Sequence, residues 1–150
     1  MLYIAAGFRV IEAMPEESGS SGEDILTLDS NLEELERLRG FIDGFCERSC
    51  VPEETHYHLN VALEELVINA IKHGACRPPE DAIRLSMCRS NDDVLAVLCD
   101  TGVAFNPLQV PPPDFSRNVL TSPPGGLGIH LVRCPIPRIR YERREDRNYL

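Results

Sequence analysis

The stretch Leu63-Glu64-Glu65-Leu66-Val67-Ile68-Asn69-Ala70-Ile71-Lys72-His73-Gly74 decides the first reading of the chain. At about 100° per residue, Leu59, Leu63, Leu66, Val67, Ala70 and Ile71 gather into one apolar arc. Pro52 suits the first turn of this helix and Gly74 its C-terminal cap, which predicts a helix from about Pro52 to His73. Glu65, Asn69 and His73 stand four apart and stack along one edge of the arc. A carboxylate and an amide at such a border are partly desolvated, with rotamers fixed by the core. A general base and a metal-orienting oxygen belong in that setting. Taken alone, a solvated polar edge ending in a histidine is the simpler reading.

Upstream, Ile25 to Leu28 reads as a short strand. Ser30 and Glu33 read as a capping box ahead of Leu32, Leu35, Leu38, Ile42 and Phe45, a helical pattern that runs to about Ser49. Residues 1–22 are assigned to an N-terminal extension or linker, with Ser18-Gly19-Ser20-Ser21-Gly22 as its flexible part, and residues 23–150 to one domain. Leu2 to Val10 is apolar but lacks a basic lead-in and a small-residue cleavage site, so a signal peptide fits poorly.

Downstream, Ile83, Leu85 and Met87 alternate with Arg84, Ser86 and Cys88, which predicts a strand with one wet face. Val94 to Cys99 is continuously apolar and suits a buried central strand. Residues 106–124 hold six of the chain's 12 prolines and no periodicity, as a functional loop would. Gly125-Gly126-Leu127-Gly128 then opens a short helix that Pro135 and Pro137 must stop, and Arg138 to Arg143 is a strand. Strands meeting at hairpins, with helices segregated from them, predict an α+β two-layer sandwich: a mixed, mostly antiparallel sheet with about three helices on one face.

Two further patches carry chemistry. Asp100 directly follows the buried strand, with Gly102 and Phe105 behind it, which places a carboxylate at the mouth of a sheet. Gly102 allows close backbone approach or a positive φ. Such a carboxylate accepts a hydrogen bond from an exocyclic amine, as adenine N6 offers. An ordinary Asp-Thr-Gly turn is the simpler alternative. Gly125, Gly126, Leu127 and Gly128 enter a helix with backbone N–H groups exposed to an anion. No Lys follows them and no strand precedes them, which excludes a Walker-type phosphate loop and the dinucleotide fingerprint.

In this order, E-x-x-x-N at Glu65 and Asn69, D-x-G-x-x-F at Asp100, Gly102 and Phe105, and GGLGIHLV at Gly125 to Val132 resemble the asparagine box and the two glycine boxes of the GHKL ATPases. The short chain, the run from Phe105 through Leu108 into Val110-Pro111-Pro112-Pro113, and Tyr141-Glu142-Arg143-Arg144 resemble the anti-sigma-factor serine kinase branch. The resemblance implies the histidine-kinase-like ATPase fold, with ATP and Mg²⁺ as cofactors. Glu65 would be the general base and Asn69 the Mg²⁺ ligand. Asp100 would recognise adenine, with Gly102, Phe105 and His73 bordering the nucleotide, and Gly125, Gly126, Leu127 and Gly128 would face its phosphates. Residues 106–124 would be a lid. The implied activity is phosphorylation of a STAS-type anti-anti-sigma protein, sequestration of a sigma factor, or both, in the cytoplasm. A homodimer is compatible with this. The alternative is a non-catalytic, ATP-gated protein-binding module.

Three departures from the family pattern stand out: the helix stop at Cys134-Pro135-Ile136-Pro137, a last strand cut short at Leu150 without its usual hydroxyl residue, and the extension before Ile25.

The bulk composition limits the alternatives. A formal net charge of −9 disfavours direct nucleic-acid binding, because acidic residues interrupt the late basic cluster. No apolar run approaches a membrane span. Six cysteines without a CxxC pair read as reduced thiols, and Cys88 and Cys99 as small strand hydrophobes.

Overall fold

The computed structural model describes residues 2–4, 22–91, 93–109 and 138–150. Among them lie seven strands and two α-helices. The strands are β1 (Leu2–Ile4), β2 (Glu23–Leu28), β3 (Ile83–Ser90), β4 (Asp93–Asp100), β5 (Arg138–Ile139), β6 (Glu142–Arg144) and β7 (Arg147–Tyr149). The helices are α1 (Leu35–Arg48) and α2 (Glu53–His73). The predicted glycine-led third helix and most of the proline-rich loop lie outside the described residues.

The sheet runs β2-β3-β4-β1-β5, and every described pairing is antiparallel. β4 is central. β3 pairs along its whole length on one side; on the other, β1 takes Val94 to Ala96 and β7 takes Cys99 and Asp100. Leu2–Ile4, within the stretch assigned to an extension, is therefore a strand of the sheet.

Period-two alternation puts Ile83, Leu85 and Met87 of β3 on one face, with Ala96 and Leu98 of β4 beside them. Leu38, Ile42 and Phe45 of α1 and Leu59, Leu63 and Val67 of α2 close over that face in one core. Each large side chain fully buried there contributes about 1.5–3 kcal/mol. The two-layer α+β sandwich is thus observed.

One helix end departs from the sequence reading and one agrees with it. Ser30 does not cap α1: its backbone N–H is drawn 2.7 Å from Pro79 O, and Asn31 Oδ1 accepts from Glu33 N–H at 3.1 Å instead, at the head of a 3₁₀ turn (Leu32–Glu34). Gly74 caps α2 after His73 as expected, with φ −69°, and the left-handed residue is Ala75 at φ +49°.

The end of α1 is a Schellman turn. Val51 N–H reaches Cys46 O at 2.9 Å and Cys50 N–H reaches Glu47 O at 3.2 Å, with Cys50 at φ +49°. Arg89 of β3 donates to the carbonyls of Ser49 and Cys50, which pins that turn to the sheet.

Candidate nucleotide site

Two glycines explain how α2 meets the end of β4. A Cβ on Gly102 would lie 2.7 Å from Gly74 Cα, and one on Gly74 would lie 2.3 Å from Ala70 O. Only bare backbone fits at this crossing, and Val103 N–H donates to Gly74 O across it at 2.7 Å. Gly102 is not at positive φ; the room left by its missing side chain is filled by Gly74. The stitch brings the last turns of α2 against the loop that follows β4.

Between them opens a small, partly open cleft. Leu66, Ala70, Val103, Phe105 and Pro107 give it apolar walls, while Asn69, Asp100 and Asn148 supply the polar groups. Three residues singled out in the sequence, Asn69, Asp100 and Phe105, are therefore brought together. Glu65 is half-buried one turn before Asn69 on α2, and His73 is exposed at the helix end; neither belongs to the lining. Gly125, Gly126, Leu127 and Gly128 lie outside the described residues.

Asp100 is 5 % exposed. Its Oδ1 accepts from Gly102 N–H at 2.8 Å and from Asn148 Nδ2 at 2.9 Å. Among the described residues both bonds fall on this one oxygen, and Asp100 lines the cleft.

Asn148, which the sequence reading did not single out, is the most heavily engaged side chain of the site. It is 2 % exposed. Its Nδ2 also donates to Val103 O at 2.9 Å, and its Oδ1 accepts from Tyr141 Oη at 2.8 Å and Arg143 Nη1 at 2.9 Å. Arg143 Nη1 reaches Gly102 O as well, at 3.0 Å.

Asn148 lies on β7, the three-residue strand Arg147–Tyr149. β6 and β7 form a hairpin through Glu145 and Asp146, both at positive φ, as a two-residue primed turn requires. β7 then pairs with β4 so that Asn148 faces Asp100, and Leu150 exchanges two backbone bonds with Leu98. The only advance signal was Asn-Tyr-Leu after a charged turn, which marks a strand but not its neighbour.

The donor set fits the group that the sequence motifs imply. A buried carboxylate among apolar walls suits a base with an exocyclic amine, and the amide of Asn69 offers the kind of hard oxygen that Mg²⁺ takes.

Comparison with known proteins agrees with this reading. Residues 28–150 match the model of the histidine kinase-like ATPase domain. The chain belongs to that family. ATP binding is the property the family name carries, and the GHKL resemblance read from the sequence is borne out. The chain is 28 % identical over 94 residues to the serine/threonine-protein kinase BtrW of Bordetella bronchiseptica, which is 63 % of this chain and 66 % of that protein. It also resembles the crystal structure of the RsbU and RsbW domains of Rv1364c from Mycobacterium tuberculosis. That likeness has a TM-score of 0.63 at 15 % identity and covers 86 % of this chain but 31 % of the other, a likeness of fold. Among the described residues, no helix is long and apolar enough to cross a membrane.

Proposed function

We propose that the chain is a cytoplasmic Mg-ATP-dependent serine/threonine protein kinase of the anti-sigma type, with residues 23–150 as its ATP-binding unit. Its targets would be a STAS-type anti-anti-sigma protein that it phosphorylates, a sigma factor that it sequesters, or both. The observation that carries the reading is the convergence of Asn69 from α2 and Asp100 from β4 on one apolar-walled cleft. The kinase name of the Bordetella relative and the RsbW-domain fold support the same branch.

In this reading Asp100 Oδ2 accepts the adenine amine, and Leu66, Ala70, Val103 and Phe105 exclude water around the base. Asn69 would hold Mg²⁺, and Gly125, Gly126, Leu127 and Gly128 would offer backbone N–H groups to the phosphates. The nucleotide would supply the phosphoryl group, with the cation offsetting its charge. Glu65 accepts the proton of the partner's serine hydroxyl, and residues 106–124 cover the site. His73 borders it at the helix end. Gly102 supports the site from behind by admitting Gly74.

The test is incubation with labelled ATP, Mg²⁺ and a STAS protein encoded nearby. Label should move to the STAS protein with wild type and not with Glu65→Ala. Absence of transfer with both removes the kinase reading.

One observation favours a second reading, a non-catalytic ATP-gated protein-binding module: Glu65 lies outside the cleft lining. It is distinguished by ATP binding without turnover and by partner affinities that differ between ATP and ADP.

A further inference from the structure

We propose that Asn148, clamped by Tyr141 and Arg143, is a positioning residue that fixes Asp100 as an acceptor toward the cleft and thereby sets the preference for a base with an exocyclic amine. The inference rests on reading the cleft as a nucleotide site. It adds residues from the C-terminal hairpin as the source of base discrimination.

The argument is one of saturation. A primary amide has two N–H donors and one oxygen with two lone pairs. In Asn148 one N–H goes to Asp100 Oδ1 and the other to Val103 O, with Gly102 O at 3.4 Å. The oxygen receives the Tyr141 hydroxyl and the Arg143 guanidinium. Rotating the amide by half a turn would set its oxygen against a carboxylate and a carbonyl, and its N–H groups against an arginine that has only donors. With 2 % of the residue exposed, water does not repair that mismatch. The amide therefore has one orientation, and that orientation presents a donor to Asp100.

The consequence passes to Asp100. Its Oδ1 already faces two donors, the Gly102 N–H and the Asn148 amide. A carboxylate held this way by two donors on Oδ1 cannot swing its second oxygen aside. Oδ2 then meets the incoming base as an acceptor only. Adenine presents an N–H there. Hypoxanthine presents a carbonyl oxygen at the same ring position, which would set two acceptors against each other in a buried place. Tyr141 and Arg143 touch neither the base nor Asp100 in this scheme; they act by locking Asn148. Arg143 adds a second hold by binding Gly102 O, which secures the loop whose N–H also grips Asp100.

The experiment is calorimetric titration of the full chain with MgATP and with MgITP, which differ only at that edge of the base. It compares wild type, Asn148→Leu and Tyr141→Phe, with thermal melting to follow the fold. The ratio of the two dissociation constants is the readout, because a general loss of structure weakens both nucleotides together. Wild type should prefer ATP. Asn148→Leu should cut the preference by at least about tenfold, the scale of one hydrogen bond to a charged group. Tyr141→Phe leaves Arg143 as the remaining clamp and should cut it by roughly two- to fivefold, the scale of a neutral bond. If Asn148→Leu does not melt cooperatively, the Tyr141→Phe ratio decides. An unchanged ratio in the folded variants, with ATP still bound, overturns the positioning role and leaves the nucleotide reading intact. Wild type that binds neither nucleotide overturns both.

Discussion

Asp43 and Asp100 are each gripped by an asparagine amide, from Asn60 at 3.0 Å and from Asn148 at 2.9 Å, in opposite settings. Asp43 joins α1 to α2 across a half-open surface; its side chain is 49 % exposed and also meets His56 Nε2 at 2.6 Å. Hydrogen bonds from Asn60 and His56 hold its carboxyl below the usual carboxylate range. Asn60 itself is only half used, since its buried Oδ1 has no partner among the described residues. Asp100 is buried, its asparagine is satisfied at both ends, and it lines a cleft. The first knot clasps two helices and tolerates an unmet acceptor. The second fixes direction, which recognition of a ligand needs and a clasp does not.

The largest effect should come from the backbone crossing that builds the second knot. Gly102→Ala places a methyl on Gly74 and on Asp100 Oδ1, and should cost about 2–3 kcal/mol in denaturant unfolding as well as nucleotide binding. Wild-type stability in that variant would break the claim that the crossing is closed.

Next comes Asp100→Ala, which removes the carboxylate and strands the Asn148 amide. ATP affinity should fall by at least about tenfold in a titration, with an unfolding cost of about 1–3 kcal/mol.

Asp43→Asn sharpens the contrast. ATP affinity should not change, and stability at neutral pH should drop by no more than about 1 kcal/mol, because the group is largely in water. Its folded pKa is lowered, so its contribution is present above the ordinary carboxylate pKa and is lost as pH falls through the lowered value. Acid unfolding curves of wild type should be steeper over that window than those of Asp43→Asn.

The smallest effect is a gain. Asp146→Gly relieves a positive φ of 63° in the hairpin that carries Asn148, and should raise stability by about 0.5 kcal/mol.

Much of this was legible in the sequence because it depends on local pattern. The apolar arc of α2, the alternation of β3 and the solid run of β4 each report their own burial, and Ile83, Leu63 and Leu98 are buried as their spacing requires. Asn69 and Asp100 were found as candidates because one edges a helix face and the other ends a buried strand. What escaped depends on tertiary neighbours. Ser30 lost its cap to a contact with Pro79, distant in sequence. Gly74 read as a helix terminator, which it is, but its second role, admitting Gly102 at the crossing, left no local signal. Asn148 carried no motif at all; its importance arises only when β7 pairs beside Asp100.

The central claim is that α2 and the loop after β4 enclose one nucleotide. Amide-resolved NMR titration with MgATP tests it most directly. Saturable shifts should concentrate at Asn69, Ala70, Gly102, Val103 and Asn148, with the α1–α2 clasp at Asp43 and Asn60 silent. Shifts confined to the clasp, or none at a large excess of MgATP, would contradict the account.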